Sequence, residues 1–290
     1  DKGALLTMPQ GAINGRVQWL WWGLASSSDI IGVLTGGDLT TDPDARQRTG
    51  AGGNEMRRGG MVKIGGTATF DVTATNQALV AAGLRASYPR GALTPIYFAG
   101  GADDWGLQYD STWLTDVSID YAQGAGLKAS VTWGGLTIAS CAGSSMDAEA
   151  NLSLEDYEFV ITVEGAEYGV TTFGIRVANN VGFSSNANTK AAGQKRWPNT
   201  RRLGIETLTI DLTTDIPIPQ ATLDIWEDIL PSNLGAVLTG TNGTDTLTMT
   251  LTNLQVTTPG FSFVDANTAV GWKYGLRGSS RAGSLAWAWA

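Results

Sequence analysis

The chain reads as a mainly β protein of two tandem β-sandwich or barrel-like domains, each flanked by a short α-helix and related by internal duplication. Three observations carry that reading. Apolar and polar residues alternate with a period of two through most of the chain, the signature of half-buried strands. Turn chemistry separates the alternating runs at Gly124-Ala125-Gly126, Asn242-Gly243 and Pro259-Gly260. Segments also recur about 140 residues apart. Residues 69–74 (TFDVTA) align with 209–214 (TIDLTT), 96–100 with 236–240, 114–117 (LTDV) with 251–254 (LTNL) at a slightly shorter shift, and Trp133 with Trp272.

Taken in order, strands are expected at 62–74, 93–99, 112–121, 126–133, 157–164, 202–214, 236–238, 246–256 and 261–265. Residues 246–252 (TLTMTLT) alternate strictly between an apolar and a threonine face, which suits a pleated, half-exposed surface. Helical periodicity is brief and falls at corresponding places. It covers 76–86, after a capping-competent Thr75/Asn76, and 219–230, with Pro219 near the start and a stripe of Leu223, Trp226 and Leu230. The domains are expected to be 1–140 and 141–290. Two segments, 26–60 and 179–201, read as long irregular loops, and each runs into an arginine pair, Arg57-Arg58 and Arg201-Arg202. Loops of that length are usually functional or disordered.

Composition bounds the function. A chain of 290 residues has a length prior of about two domains. Charged residues make up 16%, against an average of about 25%, consistent with a surface committed to contacts. The net charge of −8 is carried mostly by the second half, with 10 Lys/Arg and 12 Asp/Glu in 1–140 against 9 and 15 in 141–290. An acidic chain does not hold a phosphate backbone by counterion release, yet it could let nucleic acid pass. The single Cys141 rules out an internal disulfide framework, and no signal peptide or bilayer-spanning stretch is visible, so an intracellular, soluble product is expected.

Chemistry is thinly supplied. The chain has no histidine, which removes the commonest general base and metal ligand along with every Ser-His-Asp or Cys-His arrangement. One cysteine makes no thiolate metal site. Adjacent carboxylates at 103–104, 155–156 and 227–228 diverge as neighbours and read as solvated charges, and Asp42-Pro43-Asp44 lacks the calcium-loop pattern. No catalytic, cofactor-binding or metal site is expected, and no enzyme. Eleven Trp include Trp19, Trp21 and Trp22 in the first strand and Trp287 and Trp289 in an alternating C-terminal tail. Such residues fill cores, anchor subunit contacts or stack sugars; the tail is expected to dock on the first strand or on a neighbouring subunit.

Residues 114–133 (LTDVSIDYAQGAGLKASVTW) give a long strand, a glycine turn and a return strand, preceded by a helix and a long excursion loop. This pattern resembles the major tail tube proteins of long-tailed, siphovirus-like bacteriophages. It covers most of 60–136 and recurs more faintly across 200–276. The resemblance implies a helix-flanked β-sandwich whose inner strands line a tube of stacked rings around a channel for DNA. A tandem chain would close a ring of three with six quasi-equivalent domains. The implied partners are copies of the chain and other tail proteins such as the tape measure and the tail terminator. DNA would pass without specific binding, no membrane would be involved, and the product would sit in the virion tail after assembly in the host cytoplasm. Under that reading 112–133 and 246–265 are inner hairpins. Asp116, Ser118, Asp120, Thr250, Thr252 and Asn253 are candidates to face the lumen, and Arg57, Arg58, Arg201, Arg202, Trp287 and Trp289 to contact other subunits. The competing expectation is a carbohydrate- or surface-binding β-sandwich of a tail tip or capsid.

Overall fold

The computed structural model describes residues 18–22, 30–33, 36–42, 45–50, 53–58, 61–72, 80, 92–93, 96–100, 105–142, 157–185, 197–219, 234–262, 271–278 and 285–289. In the first half the strands are β1 (Gln18–Trp22), β2 (Ile30–Val33), β3 (Gly36–Asp42), β4 (Ala45–Gly50), β5 (Gly53–Arg58), β6 (Lys63–Asp71), β7 (Ala92–Leu93), β8 (Ile96–Gly100), β9 (Trp105–Asp110), β10 (Thr112–Ala122), β11 (Gly126–Gly134) and β12 (Thr137–Ala142). The second half carries β13 (Glu158–Val163), β14 (Ala166–Ala178), β15 (Val181–Ser184), β16 (Thr200–Leu203), β17 (Thr207–Thr214), β18 (Leu234–Thr241), β19 (Thr246–Ser262), β20 (Gly271–Gly278) and β21 (Leu285–Trp289). All paired strands are antiparallel. Both expected helices lie outside the described residues, apart from the buried Val80 and Pro219.

A twelve-stranded sheet dominates, in the order β13-β18-β19-β20-β17-β14-β10-β11-β6-β3, with β21 on β19 and β7 on β10. Because β13 also pairs β14, the six strands β13, β18, β19, β20, β17 and β14 close on themselves as a barrel. Alternation explains what fills it. In β17, Leu208, Ile210 and Leu212 point inward while Thr209 and Asp211 point out. Tyr168, Phe173, Ile175, Leu247, Met249, Leu251 and Tyr274 join them in the core. Burying each large apolar side chain contributes about 1.5–3 kcal/mol. Gly240 permits the close approach of Phe159, whose ring lies 2.3 Å from where a β-carbon would stand. The β18–β19 hairpin turns at Asn242, whose carboxamide oxygen accepts the Thr244 and Asp245 amides at 2.8 and 2.6 Å.

Three of the long strands carry a β-bulge with threonine at the extra residue. Thr115, Thr171 and Thr257 each interrupt the register with the neighbouring strand. Each donates its hydroxyl across to that strand, to the carbonyls of Thr132, Thr213 and Gly275, at 3.1–3.3 Å. A bulge shifts the inward parity by one residue and bends the strand. In β14 the buried set accordingly runs Tyr168 and Val170, then Phe173, Ile175 and Val177.

Strand β14 joins the two halves. One of its edges carries β13 along its N-terminal part and β10 along its C-terminal part, while β17 occupies the other edge. At the seam Gln123 N–H donates to the Thr171 carbonyl at 2.9 Å, and the Tyr121 hydroxyl donates to the Tyr157 carbonyl at 2.7 Å. Tyr121, Phe159 and Phe173 pack there as one aromatic cluster, with centroids 4.6–5.2 Å apart. The sheet and core therefore run across residue 140/141, which itself falls inside β12.

Several expectations need correction. Residues 26–60 contain β2, β3 and the β4–β5 hairpin, and 179–201 begins and ends in the β15–β16 hairpin, so neither is a plain loop. Residues 246–265 are not a hairpin: β19 runs unbroken through Pro259-Gly260, which face Tyr274 and Lys273. Proline lacks a donor, yet it is accommodated where, among the described residues, one strand edge has no partner. Trp133 lies near the end of β11 and Trp272 near the start of β20, so their match does not hold in the ladder.

Candidate functional face of the sheet

The face of the large sheet opposite the core is a polar surface crossing eight strands, β3-β6-β11-β10-β14-β17-β20-β19. Its geometry follows from register. One row of directly opposed residues runs Gly36, Thr69, Ser130, Ser118, Arg176, Thr209, Arg277, Gln255. The next row runs Asp71, Lys128, Asp120, Gly174, Asp211, Gly275, Thr258. A third runs Asp38, Thr67, Thr132, Asp116, Ala178, Thr207. Each row is possible because adjacent strands keep side chains of the same parity on the same side.

Of the residues expected to line a lumen, Asp116, Ser118 and Asp120 share this face on β10, the first two half-buried and Asp120 exposed. Thr250 and Thr252 do not join these rows. They point out of the barrel from the N-terminal part of β19, which lies between β18 and β21. Asn253 sits at a second irregularity of β19, against β18, with φ of 55° and its side chain exposed. The parity shift there separates the threonine face of 246–252 from the Gln255 row.

Charge on the face is interleaved. Asp38, Asp71, Asp116, Asp120 and Asp211 are set against Lys128, Arg176, Lys273 and Arg277, so the face is close to neutral although the chain is acidic. Arg176 was not singled out from sequence. It reaches across the β10–β14 joint to Asp116, with Nη2 to Oδ2 at 2.8 Å and Nε 3.2 Å from both carboxylate oxygens. That hydrogen bond and the attraction of the carboxylate push its guanidinium further above its ordinary value. The alternation of Arg176 with buried Ile175 and Val177 was the available signal. Gly174 and Gly275 leave the second row bare on either side of Asp211, and an open depression of about 680 Å³ forms there, bordered by Asp120 and Lys273. Thr172, Asp211 and Thr213 line it as well, beside the buried Tyr121 and Tyr274.

The residues expected at subunit contacts lie elsewhere. Arg57 and Arg58 end the β4–β5 hairpin, opposite Arg46 and Ala45. Arg201 and Arg202 are exposed on β16, and the Arg201 guanidinium stacks 4.1 Å over the Trp113 ring of its own chain. The tail strand with Trp287 and Trp289 docks on β19, opposite Met249 and Leu247, rather than on the first strand. The paired carboxylates at 103–104, 155–156 and 227–228 lie outside the described residues. Among the described residues no group of three or more ligand-type side chains could hold a metal, and no helix is long and apolar enough to cross a membrane.

No known protein-family model matches the chain, and no curated protein sequence matches it. What can be said of function therefore rests on the sheet itself.

Proposed function

We propose that this chain is a structural subunit that polymerises into stacked rings around a channel through which DNA passes, in the manner of the tail tube proteins that residues 114–133 resemble. In that role it is a virion component, partnered by its own copies and by other tail proteins. The observation that carries the reading is the order of the eight strands. Strands β3-β6-β11-β10 and β14-β17-β20-β19 follow each other in the same order, which supports one four-strand unit repeated, and β10 and β14 pair edge to edge.

The duplication is supported from two sides. In the first row Thr69 and Thr209 hold the same place in their units, and so do Ser118 and Gln255. These pairs are 140 and 137 residues apart, the spacings at which the sequence repeats. The remaining strands follow the same plan. Strand β1 pairs β2 and β8, as β13 pairs β14 and β18. Strand β12 returns to β9 as β21 returns to β19. The hairpins β4–β5 and β15–β16 are inserted at the same point of each unit, which suits a role in contacts between rings.

A chain made of two equivalent units is a device for symmetry: head-to-tail contacts that match the rotation close a ring, here of three chains with six units. The continuous polar face would be the lumen. Its interleaved charges give a passing phosphate backbone no cationic track to bind, since affinity for nucleic acid grows with the number of phosphates neutralised. The competing reading, a glycan-binding module, draws less support. Trp113 and Trp133 are buried and Trp197 and Trp272 partly buried, so among the described side chains no tryptophan offers an open stacking platform.

Electron microscopy of the purified protein at rising concentration, with mass by light scattering, tests the proposal. Hollow tubes or closed rings of three chains are expected. A monomer at every concentration that binds glycan would overturn it.

A further inference from the structure

We infer that successive rings stack through a knob and a hole at opposite ends of β17: Ile205 of one copy enters the depression beside Asp215 of a copy in the next ring, with Arg202 set against Glu158 and Asp215. This rests on the tube-subunit reading and names the axial contact that reading requires.

The knob stands just before β17. Ile205 is 75% exposed, the most of any large apolar side chain among the described residues. Its backbone is pinned. The Asn180 carboxamide donates to the Ile205 carbonyl, and the Gly204 N–H donates to the Asn180 carbonyl at 2.9 Å. An apolar side chain held out on a fixed backbone costs little ordering when it docks. Arg201 and Arg202 precede it on β16, and both are exposed.

The hole lies just after β17. There the edge of β14 passes from β13 to β10, and a depression of about 210 Å³ opens at the change of partner. Tyr121, Phe159 and Val170 are its apolar lining, and Gln123, Glu158 and Asp215 its polar one. A cavity of about 150 Å³ holds benzene, so one branched aliphatic side chain fits. The Asp215 N–H donates to the Gly169 carbonyl at 3.1 Å, and its carboxylate accepts the Ile216 N–H at 2.8 Å. Ile216, 52% exposed, is the other exposed large apolar side chain among the described residues, and it adjoins this rim.

Charge agrees with size. The knob end is cationic, and because the Arg201 guanidinium lies over Trp113, Arg202 is the cation left to meet a partner. The hole end is acidic at Glu158 and Asp215, with Glu164 and Glu167 exposed on the adjoining β13–β14 hairpin. Lying at opposite ends of one strand, knob and hole cannot meet within a chain. A head-to-tail contact of this kind adds copies end to end without closing, which is what a stack of rings needs.

The test is assembly of full-length variants, followed by electron microscopy and sedimentation. Ile205→Asp should raise the concentration needed for tubes about tenfold or more, since each chain loses its buried apolar anchor, while closed rings of three still form. Ile205→Leu should keep the tubes. Arg202→Glu should weaken stacking, and adding Glu158→Arg should restore it, because the exchanged charges still attract; a swap that rescues nothing would overturn the paired charges. Tubes from Ile205→Asp at an unchanged concentration would overturn the inference and leave the tube reading standing. An unaltered chain that stays monomeric at every concentration would overturn both. Should Ile205→Asp fail to fold, hydroxyl-radical footprinting of the unaltered chain replaces it. Oxidation of Ile205 and Ile216 should fall about fivefold or more from rings to tubes, as contact removes both from water. Unchanged oxidation would overturn the inference.

Discussion

The two halves of the chain treat their long strands differently. In the second half, β19 runs seventeen residues without a break and serves β18, β20 and β21. In the first half the corresponding stretch is divided into β9 and β10 at Ser111, whose φ is 50°. Likewise β14 is one strand of thirteen residues, while β2 and β3 are separate and belong to different sheets. The unbroken strands close a six-stranded barrel, whereas the divided ones are split between a five-stranded sheet (β2, β9) and the large one (β3, β10). The lesson is that a bulge and a break are alternative ways of bending a long strand. A bulge keeps the ladder continuous and shifts parity by one residue, while at Ser111 the chain leaves one sheet for another.

The largest expected effect probes the seam that makes the halves one body. Phe173→Ala removes the ring that packs on Tyr121 at 5.2 Å and on Phe159 at 4.9 Å. A loss of about 3–5 kcal/mol is expected, in a single urea transition that both halves share. Two transitions, only one of them moved, would mean the halves fold separately and would break the comparison.

Next is Asn179, buried at the end of β14, whose carboxamide donates to the Leu114 carbonyl at 2.9 Å while its backbone N–H donates to Thr115. Asn179→Ala leaves a buried carbonyl short of that donor and should cost about 1–3 kcal/mol. Chemical denaturation would measure it, and an unchanged midpoint would show that the joint does not depend on this bond.

Tyr109 sharpens the contrast from the first half. Among the described residues its buried hydroxyl has no partner, and burial pushes its pKa up to about 12. A folded value above the ordinary one of about 10 means that stability is fully present below about pH 10 and lost as pH rises toward 12. Tyr109→Phe should keep more of its stability in that window than the parent does, and equal or slightly exceed it at neutral pH. Thermal melts across the window would decide; superimposable curves would refute the burial argument. The smallest effect is at Arg176, two-thirds exposed. Arg176→Ala should cost under about 1 kcal/mol and matter less as salt rises. A larger, salt-independent loss would make the joint more than a surface pair.

Much of the fold was legible in the sequence. The β10–β11 hairpin follows from alternation over 112–121 and from Gly124 and Gly126, which take φ of 77° and 75°. The segments 69–74 and 209–214 both fall on strands, β6 and β17, and the candidates Asp116, Ser118 and Asp120 share one polar face. Strand β14, the joint itself, was not legible. Its apolar set changes parity at Thr171, so a period-two reading sees two short fragments. The same shift at Thr252 and Asn253 hid the fact that Thr250 leaves the row that Gln255 joins, and Pro259-Gly260 looked like a turn because local chemistry does not reveal which strand edge is open.

Alternation and turn residues by themselves determined that this is a mainly β chain, because each is a local property of a few neighbouring residues. Which strands meet was decided only by the tertiary structure. Bulges fix register through bonds to residues tens of positions away, and the pairing of β10 with β14 is chosen by the aromatic core that Tyr121, Phe159 and Phe173 build together.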